Sequence, residues 1–228
     1  MHIAANIGDI IRVRLELEKG AQVNAPEAKK GSTAVMFASE RGFLPIVKLL
    51  VEKGGDVAIP NRFGYTALHA STSGDHLEVS KFLIAKGANV NAPDERGRTP
   101  LFFAAEKNLL EHARLLKEHG ADLAIRDAKQ WTPLYAAVDT GSLEVAKFLI
   151  EQGVSVKEPG GGGSRSPLLA ASSSGNVEMV KLLLEAGADV TATLSMGHSS
   201  YRGMTALQIS QQKGHKEVAE LLRGAGAK

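Results

Sequence analysis

The sequence contains no cysteine among its 228 residues. Disulfide scaffolds, thiol nucleophiles and cysteine-ligated zinc or iron–sulfur sites are therefore excluded. Aromatic residues make up only 5% of the chain, so a large aromatic core is not expected. No apolar run approaches the roughly 18 residues that a membrane span needs, and the N-terminal residues lack the pattern of a signal peptide. We expect a soluble protein of the cytoplasm, or of the nucleus, without a membrane segment.

The chain also carries little net charge. Its 27 Lys and Arg residues stand against 25 Asp and Glu residues, which leaves a formal charge of +2. That balance argues against a protein whose whole surface attracts polyanions. Apolar residues at 43% and charged residues at 23% are typical of a folded globular chain.

The strongest signal in the sequence is an internal repeat. A glycine follows each leucine-rich stretch, and successive glycines are 34, 33, 33, 33, 34 and 39 residues apart. These glycines are Gly20, Gly54, Gly87, Gly120, Gly153, Gly187 and Gly226. A Thr or Ser that opens a variant of Thr-Pro-Leu-His recurs in the same rhythm, at Thr33, Thr66, Thr99, Thr132, Ser166 and Thr205. Self-similarity at such a period is the signature of a repeat architecture.

Each repeat is predicted to form two short helices. The Thr or Ser is a helix N-cap, and a proline after it, as at Pro133, suits the first helical turn. The first helix stops at a glycine such as Gly42, or at Asp75 or Asn108, residue types that tolerate a positive φ. A second helix with apolar residues at helical spacing follows, and an extended segment leads to the next repeat.

Period, caps, stops and apolar register together make the chain resemble the ankyrin-repeat family over nearly all its length. The resemblance implies an all-α fold, an ankyrin-repeat solenoid of stacked helix-turn-helix units with β-hairpin-like loops. It also implies that His69, in the fourth position of the Thr-Pro-Leu-His motif, hydrogen-bonds backbone between adjacent turns. We predict a single domain, 1–228, with seven repeats, the first of which lacks its hairpin and cap and looks truncated. The repeats are placed at about 1–26, 27–60, 61–93, 94–126, 127–160, 161–199 and 200–228.

No catalytic or metal-binding pattern is found. The glycine run 160–163 has neither the Lys nor the flanking strand of a phosphate-binding loop, so a turn or linker is the better interpretation. His112 and His119 lie seven residues apart, but no third ligand is in register with them. Ser172 to Ser174 have neither a nucleophile elbow nor a histidine placed to activate them. We therefore predict a non-enzymatic protein without cofactor or metal.

The resemblance implies that partners bind at the hairpin tips and along the first helices. Positions at the tips and at the end of each first helix hold eleven basic residues against four acidic ones. That excess favours an acidic partner surface or peptide, and aromatic residues at the same positions are typical interface anchors. The predicted partner-binding residues are Lys29, Lys30, Arg41, Arg62, Phe63, Tyr65, Arg96, Arg98, Lys107, Lys129, Trp131, Tyr201 and Arg202.

The function favoured by these patterns is a monomeric scaffold for protein–protein interaction, binding a protein or an acidic peptide. An engineered or loop-edited ankyrin binder is the alternative, because the chain lacks cysteine and contains the linker-like string Gly-Gly-Gly-Gly-Ser at 160–164. Disagreement between the repeats at many framework positions favours a natural sequence. Nucleic-acid binding through the basic face is less favoured, since acidic residues such as Glu95 and Glu106 interrupt any phosphate track.

Overall fold

The computed structural model of the chain describes residues 1–160, 165–195 and 201–227. Within these ranges the chain forms fourteen α-helices, two for each of seven repeats, and no strand longer than an isolated bridge. The first and second helices of the successive repeats are α1 (His2–Ile7) and α2 (Ile10–Glu18), α3 (Ala34–Glu40) and α4 (Leu44–Glu52), α5 (Ala67–Ser73) and α6 (Leu77–Ala85), α7 (Pro100–Glu106) and α8 (Leu110–Glu118), α9 (Pro133–Thr140) and α10 (Leu143–Glu151), α11 (Pro167–Ser174) and α12 (Val177–Glu185), α13 (Ala206–Gln212) and α14 (Lys216–Gly224). The all-α solenoid of helix pairs is thereby confirmed.

The chain divides into two compact units, one of Met1–Ala104 with Glu111–Asp122 and one of Ala105–Leu110 with Leu123–Lys228. In the first compact unit, α3 packs between α1 and α5, while α4 packs between α2 and α6. In the second, α11 packs between α9 and α13, and α12 between α10 and α14. Each helix pair therefore buries its apolar face on its neighbours, as fully buried Leu50, Leu83 and Leu149 illustrate.

The predicted N-caps are present on most first helices. The Thr132 hydroxyl accepts a hydrogen bond from the Tyr135 N–H at 3.1 Å, and Ser166 caps α11 in the same way. Thr99 is an exception: within the described residues its hydroxyl has no hydrogen-bond partner. The Phe102 N–H donates instead to the Thr99 carbonyl at 3.0 Å, because the first turn of α7 is tighter.

The predicted helix stops are also confirmed. Gly42 and Gly141 have φ values of 75° and 77°, and the non-glycine stops Asp75 and Asn108 have 59° and 56°. The sequence did not reveal a further left-handed residue, Gln130, with φ of 62°. It occupies the hairpin position that four other repeats fill with Gly31, Gly64, Gly97 and Gly203, and an L-residue with a side chain is strained there.

Two features of the sequence analysis fall wholly or partly outside the described residues. The predicted starts of the sixth and seventh repeats, Gly161 and Ser200, lie outside them, as do residues 161–164 of the linker-like string. Among the helices of the described ranges, none is both long and apolar enough to cross a bilayer.

Candidate functional site

The hairpin tips of the third, fourth and fifth repeats are each shaped by one side chain. The Asp94 carboxylate accepts hydrogen bonds from the N–H groups of Arg96 and Arg98, at 2.9 and 2.8 Å. Asn61 and Asp127 bond in the same pattern to the residues two and four positions after them. Asp94 and Asp127 are buried, so these bonds fix the turn from inside and turn the intervening side chains outward. These hydrogen bonds fix the backbone conformation of the tips.

Backbone hydrogen bonds link consecutive tips in the first compact unit. The Arg62 N–H donates to the Lys30 carbonyl at 2.9 Å, and the Glu95 N–H donates to the Phe63 carbonyl at 2.7 Å. The tips of the second, third and fourth repeats are therefore held at fixed spacing. A surface that spans them is preformed, which reduces the entropy cost of binding.

These tips and the helices beneath them enclose a groove of about 330 Å³ in the first compact unit. Its aromatic residues are Phe37, Phe63 and Tyr65. The remaining lining residues are Lys30, Ser32, Glu40, Asn61, Asp94, Glu95, Arg96 and Arg98. Five of the predicted partner-binding residues therefore line one groove: Lys30, Phe63, Tyr65, Arg96 and Arg98.

Phe63 is the most accessible aromatic side chain of the groove. It is 43% exposed, and it is one of five large apolar residues with such exposure in the described part of the chain. Tyr65 is half-buried, stacks on His69 at 5.1 Å between ring centres, and donates a hydrogen bond to the His69 carbonyl at 3.2 Å. Burial raises the pKa of the Tyr65 phenol. The groove therefore has one exposed aromatic side chain, Phe63, and one, Tyr65, that is held in place by its contacts with His69.

His69 has the structural role that the resemblance implied. Its Nδ1 accepts from the Thr66 N–H at 3.1 Å, so Nε2 carries the proton and donates to the Arg98 carbonyl, 3.1 Å away. Burial lowers the pKa of His69 to about 4, which keeps the ring neutral. The histidine ties the third repeat to the tip of the fourth.

Arg98 is locked in place, unlike Arg96. Its Nε and Nη2 donate to Oδ2 of Asp94 at 3.1 and 2.9 Å, and its guanidinium lies 4.5 Å from the centre of the Phe103 ring. The Arg98 side chain is only 21% exposed. Arg96, by contrast, is exposed at the tip. Arg98 therefore stabilises the hairpin through Asp94 and Phe103. Contact between Arg98 and a partner stays a prediction.

Two other predicted cations are also engaged within the protein. The Arg41 Nε donates to the side chain of Asn6 at 3.0 Å, and the Arg62 Nη1 donates to the Lys29 carbonyl at 2.9 Å. Both arginines remain exposed on their outer side. The sequence did not predict these bonds, because their partners lie more than thirty residues away along the chain.

The second compact unit holds the other predicted residues, Lys107, Lys129, Trp131, Tyr201 and Arg202. Trp131 is half-buried, with its ring 4.9 Å from that of Tyr135 and the Lys129 Nζ 5.0 Å from its centre. Tyr201 has the Lys213 Nζ 5.6 Å from its ring centre. Cation–π contacts of this kind contribute about 0.5–1 kcal/mol at exposed sites.

The described residues contain no cluster of three or more His, Asp or Glu side chains that could hold a metal ion. His112 is buried in α8, with Nδ1 3.5 Å from Oδ1 of Asp75, and burial lowers its pKa. It occupies the position that α6 fills with Val79. The histidine is therefore a substituted core residue.

Comparison with known proteins agrees with this architecture. The family model described as ankyrin repeats (three copies) matches residues 1–94, 56–127, 91–160, 120–193 and 157–228. Ankyrin repeat and SAM domain-containing protein 6 of Rattus norvegicus is 40% identical over 65 residues, which are 28% of this chain and 7% of that protein. The B-cell lymphoma 3 protein homolog of Mus musculus is 35% identical over 72 residues, 32% of this chain and 16% of that protein.

The matched segments thus cover only a small fraction of these relatives. The family model, in contrast, matches from the first residue to the last. With the helix pairs, the caps and the left-handed stops all in register, the chain belongs to the ankyrin-repeat family.

Proposed function

We propose that this chain is a non-enzymatic scaffold that binds a partner protein or peptide at its hairpin tips and first helices. Ankyrin repeats are in general protein–protein interaction modules. The groove of the first compact unit is the proposed centre of binding, with Phe63 as its apolar anchor. The observation that carries this proposal is an exposed aromatic side chain beside a preformed groove whose tips are already tied together.

The cations around the groove support an acidic partner. Lys30 and Arg96 are exposed at two different tips, and Lys29 lies beside the first of them. Glu40 and Glu95 also line the groove and are exposed, so its own charges nearly balance. We therefore expect an apolar side chain of the partner to enter the groove, with its acidic residues meeting the exposed cations Lys29, Lys30 and Arg96 at the edge of the groove.

The test compares two double variants of the chain. Lys30→Ala/Arg96→Ala removes cations at the groove, and Lys53→Ala/Lys117→Ala removes the same charge from exposed positions outside it. Proteins captured from lysate by the original chain and by the control, but lost with the groove variant, are candidate partners. For a purified candidate, Phe63→Ala should weaken binding at least tenfold, as expected for an aromatic anchor.

Equal affinity of the purified partner for the original chain and for both groove variants would refute the proposal. Binding of nucleic acid from the lysate is a separate outcome of the same experiment. Retention of RNA or DNA that falls steeply with added salt would indicate phosphate contacts and a different function.

A further inference from the structure

The tips of the second, third and fourth repeats place three side chains in a row along the groove. Lys30, Phe63 and Arg96 occupy the same hairpin position in their repeats, three residues before the Thr that opens the first helix. All three are exposed, and all three line the groove. A partner that follows this tip row therefore meets a cation, an aromatic ring and a second cation in that order.

Hydrogen bonds between the tips set the spacing of the tip row. The Arg62 N–H donates to the Lys30 carbonyl, and Phe63 follows Arg62 directly. Hydrogen-bonded residues of paired backbones have Cα atoms about 5.5 Å apart, and the next Cα is about 3.8 Å further, so Lys30 and Phe63 are at most about 9 Å apart. The bond from the Glu95 N–H to the Phe63 carbonyl sets the same step to Arg96. That step agrees with the distance of about 8–10 Å between packed helices.

An extended peptide matches this step with a whole number of residues. A strand rises about 3.3 Å per residue, so about three residues cover the distance from one tip to the next. A helix, about 10–12 Å across, would rest on top of a groove of about 330 Å³ and would not fill it. With an apolar residue beside Phe63, an extended segment brings the residues about three positions before and after it to Lys30 and Arg96.

The two cations of the tip row have different neighbours. Lys29 precedes Lys30 in the second repeat, and Arg62 holds the position of Lys29 in the third repeat. In the fourth repeat that position is held by Glu95, beside Arg96. All of these side chains are exposed. A carboxylate of a partner is therefore attracted more strongly at the Lys30 end, because Glu95 repels it at the other end.

Two carboxylates of the second repeat lie elsewhere. Glu27 accepts hydrogen bonds from the N–H groups of Lys29 and Lys30, so it is turned towards the backbone of its own tip. Glu40 is exposed at the end of α3 and lines the groove below the tips. Its charge disfavours an acidic residue in the centre of a bound segment. An apolar side chain is therefore the better occupant there.

We propose that the groove binds an extended peptide segment in which a large apolar residue is flanked by one acidic residue about three positions before it and another about three positions after it. The apolar side chain packs against Phe63, and the two carboxylates meet Lys30 and Arg96. The proposal rests on the proposed function, because it concerns the same groove. It adds the backbone conformation of the partner and the spacing of its charges.

Selection of random peptides displayed on phage, with the full chain as the target, tests this pattern without a known partner. We expect enrichment of peptides that carry Asp or Glu about three residues away on both sides of a Leu, Ile, Phe or Trp. Selected peptides should bind a Phe63→Ala variant at least tenfold more weakly. Acidic residues enriched at about six residues from the apolar one would indicate a helix, at about 1.5 Å per residue, and would overturn the extended conformation.

Charge reversal assigns each end of a selected peptide. Lys30→Glu should weaken its binding about fivefold and Arg96→Glu about twofold, as expected for exposed charge pairs of unequal surroundings. Lys53→Glu makes the same change at an exposed position outside the groove and should leave the affinity unchanged. Replacing one acidic residue of the peptide with Lys should restore binding to one of the two groove variants and not to the other.

The results separate this proposal from the proposed function. Peptides that depend on Phe63 but lack the acidic spacing would overturn the proposal and leave the groove as a binding site. The absence of enrichment, or peptides that bind the Phe63→Ala variant as strongly as the original chain, would also overturn the proposal. The proposed function fails separately, when a partner captured from lysate binds the groove variants with unchanged affinity.

Discussion

The pair of Asp94 and Arg98 offers the sharpest test of the site as described. Replacing Arg98 with alanine removes two charge-assisted hydrogen bonds to Oδ2 of Asp94, at 3.1 and 2.9 Å, and the contact with the Phe103 ring. The Asp94 side chain is only 5% exposed, so its carboxylate would lose its cation while remaining buried. Arg98→Ala should therefore lower the stability of the fold, and not merely remove a side chain from the surface.

The loss of unfolding free energy depends on the hydrogen bonds that Asp94 retains in the variant. Stranding one member of a buried ion pair costs about 3–5 kcal/mol. Oδ1 of Asp94 still accepts two backbone hydrogen bonds, and Arg98 was partly solvated, so the loss falls toward the lower end of that range. With about 0.5 kcal/mol from the aromatic contact, we expect Arg98→Ala to lower the free energy of unfolding by about 3.5 kcal/mol.

Urea unfolding followed by circular dichroism measures this loss, with Arg96→Ala as the control. Arg96 belongs to the same tip but is exposed, so its removal should change stability by less than about 0.5 kcal/mol. In an Asp94→Asn background, which reproduces the residue of the third repeat at Asn61, Arg98→Ala should cost under about 1 kcal/mol. Equal losses for the two arginines, or no coupling with Asp94, would refute the assignment of Arg98 to the hairpin.

Three further changes test the backbone and the core. Gln130→Gly removes the strain of a left-handed residue (φ 62°) and should raise the free energy of unfolding by about 0.5–1 kcal/mol, measured in urea. Gly160→Ala would place a Cβ 2.8 Å from the buried ring of Tyr135, and the same assay should show a loss of about 1–3 kcal/mol. Burial lowers the pKa of His112 from 6.5, so the folded chain binds fewer protons than the unfolded chain, and stability should fall as the pH drops below 6.5. His112→Val, with the residue that α6 has at Val79, should reduce that fall between pH 7 and pH 5; an unchanged pH profile would show that the histidine contributes nothing to it.

Helix stops and N-caps were predictable from the sequence, because they depend on residues that are close together along the chain. The stops at Asp75 and Asn108 follow from their residue type and their place in the period, and both have a positive φ. The N-cap at Thr132 follows from the motif in the same way. Thr99 shows the limit, because the same Thr-Pro-Leu start there forms a tighter turn and leaves the hydroxyl without a partner within the described residues.

The site was less predictable, because its contacts join residues from different repeats. Register alone places Arg41, Arg62 and Arg98 among the residues available to a partner. Yet Arg41 donates to Asn6, thirty-five positions earlier, and Arg62 donates to a carbonyl of the previous tip. Period and residue type do not determine which long side chains meet across repeats.

The same contacts change what the charge excess means. Counting side chains at the tips treats every cation as free. In the structure Arg98 is neutralised by Asp94, and Arg165 has its Nη1 3.7 Å from Oδ1 of Asp139. Within the groove itself the exposed charges nearly balance. Because exposed charges are screened over about 8 Å at physiological salt, an acidic partner would be attracted by the cations at the rim, while the groove would select its apolar side chain. Charge and shape would then act at different places on one surface, so a single substitution can weaken one without the other.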